Sequence, residues 1–106
     1  MTAPRRSKYR AVPETVGGIR FASKKEARRA SELKLLERAG QIRNLELQPR
    51  YDIIVNGINC GFYKADFRYF EGNKAVVEDA KGFKTQVYSL KKRLVEALYG
   101  ITITEV

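Results

Sequence analysis

An alternating pattern followed by a tight-turn signal constrains the fold of this chain more than any other sequence feature. Five apolar or aromatic side chains fall on odd positions, which is the period of a half-buried strand: Leu45, Leu47, Tyr51, Ile53 and Val55. Asn56-Gly57 follows directly and is a strong signal for a two-residue hairpin. The chain is therefore expected to return beside this strand through residues 58–70 and to form an antiparallel sheet.

The strands on either side of this hairpin carry three further backbone signals. Pro49 is expected to bend the first strand or to mark a sheet edge, and Gly61 is a candidate bulge in the second. A second turn at residues 71–74 predicts a third strand over residues 75–81. The segment is accordingly predicted to be a three-stranded meander.

Helical patterns flank this meander on both sides. The first is predicted over residues 23–39 and ends before Gly40, whereas the second is predicted over residues 85–99 and ends at Gly100. Residues 101–106 form a short apolar strand, so the order is helix, meander, helix, strand, an α+β arrangement. The predicted buried faces are Ala30, Leu33 and Leu36 in the first helix and Val87, Leu90, Leu94 and Leu98 in the second.

Length and charge predict one domain with a basic surface. The 106 residues are divided into a flexible basic arm, residues 1–15, and a single domain, residues 16–106, which opens with a small hairpin around Gly17-Gly18. The net charge is +9, and residues 1–50 hold 13 Lys/Arg against 5 Asp/Glu. This asymmetry favours a polyanionic partner, nucleic acid before an anionic membrane. The alternative is a basic face kept for solubility.

Two composition features limit the chemistry. The chain contains no histidine, which excludes histidine-based triads, zinc sites and general bases, so carboxylates, lysine and a hard metal would have to act instead. The single cysteine, Cys60, cannot form an internal disulfide and is expected to be a buried or half-buried strand residue. Because no apolar run is long enough to span a membrane, a cytoplasmic location is expected.

Charged residues occupy the end of the third predicted strand. In a strand, Asp79 and Lys81 share one face, while Glu78 points to the other. A carboxylate beside an ammonium suits the binding of a divalent metal and of a water or phosphate oxygen. One carboxylate alone binds Mg²⁺ poorly, so the pattern requires a second acid.

Asp66, on the preceding strand, offers the second acid. One hairpin register pairs Asp66 with Asp79, whereas a shift of one residue pairs it with Glu78. Only the first register collects Asp66, Asp79 and Lys81 on one face, and we adopt it. The competing interpretation is a set of solvated strand-end residues in ordinary surface salt bridges.

Glu26 lies in the apolar stripe of the first helix and has two interpretations. Because this helix must lay its stripe on the sheet, Glu26 is a candidate third oxygen ligand for a metal. Ser23 to Glu26 also fits a capping box, in which the glutamate reaches back to the Ser23 backbone amide. The local pattern leaves both interpretations open.

Four short motifs in this order, "SKKEA", "LELQPRY", "ADFRY" and "VVEDAKG", carry a resemblance. Together they resemble the PD-(D/E)XK, or restriction-endonuclease-like, nuclease superfamily, and more narrowly a group of small phage and prophage proteins placed in it. The resemblance covers residues 18–106 and implies an αβββαβ core, a mixed sheet flanked by two helices. Ala65 stands where the superfamily has proline. Gln48 matches a polar position near the site in some relatives, or is simply a strand-end amide.

The resemblance also implies roles for particular residues. Asp66 and Asp79 would be ligands of Mg²⁺ or Mn²⁺, Lys81 would orient or activate the attacking water, and Glu26 would complete the site. The adjacent Glu78 leaves open which of the two acids binds the metal.

The sequence thus predicts a metal-dependent DNA endonuclease, with cleavage of branched DNA or Holliday junctions and a homodimer as refinements. The alternatives are a non-catalytic nucleic-acid-binding protein of phage origin and a protein-binding regulator. Tyrosines interspersed with the cations are candidates for base stacking, although tyrosines in strands more often belong to the core: Tyr9, Tyr63, Tyr69 and Tyr88. The cations predicted to contact phosphates are Arg5, Arg6, Lys8, Arg10, Lys24, Lys25, Arg28, Arg29, Lys84, Lys91, Lys92 and Arg93.

Overall fold

The computed structural model has the predicted α+β class, with a mixed sheet between two helices. It describes residues 14–16, 19–21, 23–80 and 84–106. The elements, in chain order, are β1 (Glu14–Val16), β2 (Ile19–Phe21), α1 (Lys24–Arg38), β3 (Arg43–Leu47), β4 (Arg50–Val55), β5 (Ile58–Lys64), β6 (Phe67–Glu71), β7 (Lys74–Asp79), α2 (Gln86–Tyr99) and β8 (Ile103–Glu105).

The small N-terminal hairpin is confirmed by the pairing of β1 with β2, in which Val16 lies opposite Ile19. Its first strand begins at Glu14, inside the range predicted to be an arm. Residues 1–13 lie outside the described residues, and the prediction of a flexible arm stays a prediction.

Helix α1 begins and ends where its capping residues predict. The Ser23 hydroxyl accepts a hydrogen bond from the Glu26 amide at 3.2 Å, and Gly40 follows the helix with a φ of 81°. The inclusion of Leu36 in the buried stripe was wrong, because it is 37% exposed. Leu36 lies about 120° around the helix from Ala30, the centre of the buried face. That face consists of Ala27, Ala30 and Leu33.

The main sheet has the strand order β3-β6-β7-β8, and β8 runs parallel to β7 while the other pairs are antiparallel. The predicted register is confirmed, because Phe70 lies opposite Ala75 and Phe67 opposite Glu78. Continued by one residue, this register sets Asp66 opposite Asp79.

The predicted three-stranded meander is instead five strands in two sheets. Its first strand is interrupted at Gln48-Pro49 and its second at Ala65-Asp66. The two breaks face each other, since the Gln48 amide donates to the Asp66 carbonyl at 2.8 Å and the Ala65 amide to the Pro49 carbonyl at 3.0 Å. One long hairpin therefore bends as a unit, and its outer part, β4–β5, leaves the main sheet. The prediction that Pro49 marks a bend is confirmed.

The β4–β5 hairpin has the predicted turn and bulge. Asn56 and Gly57 have φ angles of 51° and 78°, and the register shifts by one residue at Gly61, whose φ is 127°. Cys60 is exposed, contrary to the prediction that it is buried. The reason is that residues 54–60 are all exposed, so both faces of the outer hairpin are uncovered.

Helix α2 also has its predicted ends. Thr85 caps its first turn by accepting from the Tyr88 amide at 3.0 Å, and Gly100 ends it with a φ of 65°. The α1 and α2 helices cover opposite faces of the sheet, because Val76 of β7 packs in the α1 cluster and Val77 in the α2 cluster. None of the helices in the described parts of the chain is long and apolar enough to cross a membrane.

The face that α2 buries differs from the predicted one. Tyr88 and Val95 are buried, and the Tyr88 ring lies 6.1 Å from that of Tyr63. The residues of the predicted face and those of the observed buried face both recur at helical spacing, so this spacing does not show which face is buried. The face with the larger aromatic area is the one that packs. Leu94 is half-buried against the core. The other residues predicted to be buried are exposed: Val87 by 63%, Leu90 by 56% and Leu98 by 45%.

Candidate active site

The bend and the end of β7 bring Asp66 and Asp79 together. Asp79 is fully buried and Asp66 is 7% exposed. Backbone groups of β7 and Ala80 hold both the main chain and the side chain of Asp66. Its amide donates to the Glu78 carbonyl at 3.1 Å, and its Oδ2 accepts from the Ala80 amide at 2.6 Å. The two carboxyl groups are close enough to interact through a hydrogen bond. The predicted convergence of Asp66 and Asp79 is therefore present in the structure.

The pKa of Asp66 is raised to about 7. Burial is the largest cause, and the neighbouring carboxyl group of Asp79 and the charge of Glu26 act in the same direction, against the opposing effect of the Ala80 amide. A buried pair of acids is stable only if it holds a proton or gains a cation. This is the electrostatic setting of a site for a hard divalent ion.

Glu26 is half-buried at the start of α1, and its charge acts on Asp66. Its amide hydrogen bond to the Ser23 hydroxyl confirms one half of the capping box. Within residues 23–80 and 84–106, no three acidic or cysteine side chains converge closely enough to form a three-ligand metal site. The structure thus presents a pair of carboxylates with a third nearby. Mg²⁺ commonly uses one or two carboxylates and completes its shell with water and substrate phosphate, so the pair fits this ion.

Glu78 points away from the pair, as strand alternation predicts. Arg29 binds it through two hydrogen bonds of 2.9 and 2.7 Å, and the Tyr69 hydroxyl donates to it. Burial opposes ionisation, but the bonds from Arg29 and Tyr69 outweigh it and lower the pKa of Glu78. Glu78 therefore anchors α1 to the sheet and does not join Asp66 and Asp79.

The sequence did not predict a contact between Tyr63 and Asp79. The Tyr63 hydroxyl donates to Asp79 Oδ2, and burial and this bond raise the pKa of Tyr63. Tyr63 belongs to the second sheet and lies 16 residues from Asp79, so no local pattern indicates the contact. The proposal that Tyr63, Tyr69 and Tyr88 stack on bases was wrong, because all three are buried. Tyr9 lies outside the described residues.

Two further predicted site residues have different outcomes. Lys81 lies in the segment 81–83, outside the described residues, and its role stays a prediction. Gln48 is half-buried at the bend, with a left-handed φ of 55°, and its backbone amide binds the Asp66 carbonyl. Its position next to Asp66 is thus observed, while its chemical role stays a prediction.

An open groove of about 420 Å³ runs beside α1 and reaches Ala80, the residue whose amide binds Asp66. Lys25, Arg28 and Arg29 line it together with Glu32 and Val106. Arg29 is engaged by Glu78 and by Glu32 at 3.1 Å. Lys25 and Arg28 are exposed, and the groove therefore offers positive charge near Ala80, the residue after Asp79.

Some of the other predicted phosphate-binding residues are exposed, whereas others already contact groups of the protein itself. Lys24 is exposed on α1, whereas Lys84 pairs with Glu105 at 2.7 Å and Lys92 with Glu96 at 3.7 Å. Lys91 is half-buried over the Phe62 ring, and Arg93 is exposed. The cations of the predicted arm lie outside the described residues: Arg5, Arg6, Lys8 and Arg10.

A comparison with known proteins identifies the family. No curated protein and no solved structure matches the chain. A family model described as "Protein of unknown function (DUF1064)" matches residues 6–104, nearly the whole length. The chain therefore belongs to the DUF1064 family.

Proposed function

We propose that this protein is a metal-dependent DNA endonuclease that hydrolyses phosphodiester bonds in the cytoplasm. The observation that carries the proposal is the buried pair of Asp66 and Asp79, with an open basic groove that reaches the neighbouring Ala80. The folded chain keeps two acids together away from water, at a cost in stability that a bound cation offsets. The four motifs that resemble the PD-(D/E)XK superfamily support the same function.

The carboxylates of Asp66 and Asp79 would hold Mg²⁺ or Mn²⁺. When bound, such an ion supplies Lewis-acid polarisation of a phosphate and lowers the pKa of a coordinated water. The Ala80 amide keeps the Asp66 carboxylate in place at 2.6 Å. The sequence places Lys81 two residues after Asp79, and there it would orient the attacking water. Its assignment rests on the (D/E)-x-K motif alone.

The exposed cations on α1 would bind the phosphates that flank the cleaved bond. Lys25 and Arg28 line the groove, and Lys24, the residue before Lys25, is also exposed. Phosphate contacts of this kind position a duplex without reading its sequence. They suit an enzyme that selects DNA by shape, such as a branched molecule or a four-way junction.

A second copy of the chain is the expected assembly partner. Leu90, Leu94 and Leu98 are spaced evenly along α2, and the outer two are largely exposed. A two-fold axis at Leu94 would set Leu90 of one copy against Leu98 of the other, as an isologous helix pair requires. Two sites in one assembly would match the two strands of a branched substrate.

The test is cleavage of supercoiled plasmid and of labelled linear duplex, flap and four-way junction in Mg²⁺, Mn²⁺ or EDTA. We expect cleavage only with metal, and a loss of at least about 100-fold for Asp66→Asn and for Asp79→Asn. Asp52→Asn is the matched control, because Asp52 is a half-buried surface acid paired with Arg50. Cleavage in EDTA, or full activity of both site variants, would refute the proposal. Equal cutting of all three labelled substrates would remove the preference for junctions.

The exposed cations of α1 also favour a second candidate function, a nucleic-acid-binding protein without catalysis. Lys24, Lys25 and Arg28 need no carboxylate pair to bind phosphates. In that case the wild-type protein would bind DNA with a steep dependence on salt and would cut none of the substrates with either metal.

A further inference from the structure

We propose that Tyr63 is a positioning residue for the Asp79 carboxylate and thereby sets the affinity of the site for its metal. This inference rests on the proposed function, because it assigns Asp79 as a metal ligand. The observation behind it is the hydrogen bond from the Tyr63 hydroxyl to Asp79 Oδ2 between two different sheets.

Tyr63 is held rigidly enough to orient its partner. It is 3% exposed, its backbone pairs with that of Tyr51, and its ring packs on the Tyr88 ring with a centroid distance of 6.1 Å. Tyr88 is itself fixed, because its hydroxyl donates to Glu105 Oε2 at 3.0 Å. The hydroxyl of Tyr63 therefore reaches Asp79 from a packed position.

The bond restricts rotation of the carboxylate that would bind the metal. A donor to one carboxylate oxygen fixes the plane of the group, and the loss of such an outer hydrogen bond typically lowers metal affinity about 10- to 100-fold. Because Tyr63 belongs to β5 and Asp79 to β7, the bond also ties the outer hairpin to the main sheet at the site. The bend at residues 65 and 66 is what brings the two sheets into this contact.

Tyr69 offers a matched control on the opposite face. It is 6% exposed, and its hydroxyl donates to Glu78, the residue before Asp79. Tyr63→Phe and Tyr69→Phe each remove one buried hydroxyl from a carboxylate, so both are expected to lower the melting temperature. They differ in that only Tyr63 contacts an acid proposed to bind metal.

The experiment compares wild type, Tyr63→Phe and Tyr69→Phe in three measurements. Mn²⁺ binding is titrated without DNA by electron paramagnetic resonance, cleavage is measured against Mg²⁺ concentration, and melting is measured in EDTA. We expect Tyr63→Phe to bind Mn²⁺ about 10- to 100-fold more weakly and to need correspondingly more Mg²⁺ for half-maximal cleavage. Tyr69→Phe is expected to stay within about threefold of wild type in both, although it melts at a lower temperature.

The outcomes separate this inference from the proposed function. Equal Mn²⁺ affinities for the two tyrosine variants overturn the inference, and so does a wild-type protein that binds no Mn²⁺. If wild type binds Mn²⁺ but cuts no DNA, the nuclease proposal fails, and the Mn²⁺ affinities of the variants alone decide the role of Tyr63.

Discussion

Stability of the metal-free protein should fall as the pH rises from 5 to 8, because of Asp66. The pKa of this acid is raised from an ordinary value of 3.8 to about 7 by burial and by Asp79. The folded protein therefore binds a proton that the unfolded chain releases at lower pH. The contribution of Asp66 to the free energy of unfolding is fully favourable below about pH 4, declines as the pH rises, and is lost above pH 7.

The magnitude follows from the two pKa values. At about 1.4 kcal/mol for each pH unit between them, the free energy of unfolding drops by about 2–3 kcal/mol between pH 5 and pH 8. For a domain of this size, that corresponds to a fall in melting temperature on the order of 10 °C. Glu78, whose pKa is lowered, titrates at lower pH and contributes nothing in this range.

The assay is thermal melting in EDTA from pH 5 to pH 8, repeated with Mg²⁺. Asp66→Asn imitates the protonated acid and keeps an acceptor for the Ala80 amide, so it should lose most of the pH dependence and melt higher than wild type at pH 8. Mg²⁺ should stabilise wild type at pH 8 and leave the Asn variant nearly unchanged. Asp52→Asn, on the surface, should keep the wild-type profile. A wild-type protein that becomes more stable towards pH 8, or equal stabilisation of both by Mg²⁺, would refute this reasoning.

Three further perturbations test other parts of the structure. Arg29→Gln leaves the buried Glu78 without its cation and should lower the free energy of unfolding by about 3 kcal/mol in denaturant melts. Arg38→Gln, at an exposed position of the same helix, should change it by less than about 0.5 kcal/mol. Replacement of both Lys25 and Arg28 by Ala should weaken DNA binding and reduce the slope of log affinity against log salt by about two, measured by fluorescence anisotropy. Leu90→Glu should convert a dimer to a monomer in light scattering without lowering the melting temperature of the monomer, and an unchanged mass would remove the α2 face as the interface.

The parts of the fold that were predictable depend on local chemistry. Ser23 and Thr85 cap their helices through their own hydroxyls, and Asn56-Gly57 turns the chain through its own backbone preferences, so neighbouring residues suffice to place these boundaries. The turn between β6 and β7 left two registers open, and the one that sets Asp66 and Asp79 on one face is the one observed. The division of the meander into two sheets was not predictable, since it depends on two bends that meet only in the folded chain.

The face of α2 shows a different limit. Two sets of residues repeat at helical spacing, one beginning at Val87 and the other at Tyr88, and each is apolar enough to face a core. The choice between them is made by Tyr51 and Tyr63 on the opposing hairpin, whose rings receive the tyrosines of α2. The buried face of α2 therefore depends on tertiary packing and cannot be predicted from the sequence of the helix alone.

The two adjacent acids at the end of β7 are the clearest link between sequence and proposed function. Strand alternation sends Glu78 towards α1, where Arg29 pairs with it and Tyr69 donates a hydrogen bond to it, and sends Asp79 towards Asp66 and Tyr63. Glu78 thus pairs with a cation on α1, whereas Asp79 lies beside a second acid, Asp66, whose pKa is raised in part by this neighbour. This proximity of Asp66 and Asp79 is the physical reason to propose a bound metal ion at the end of β7.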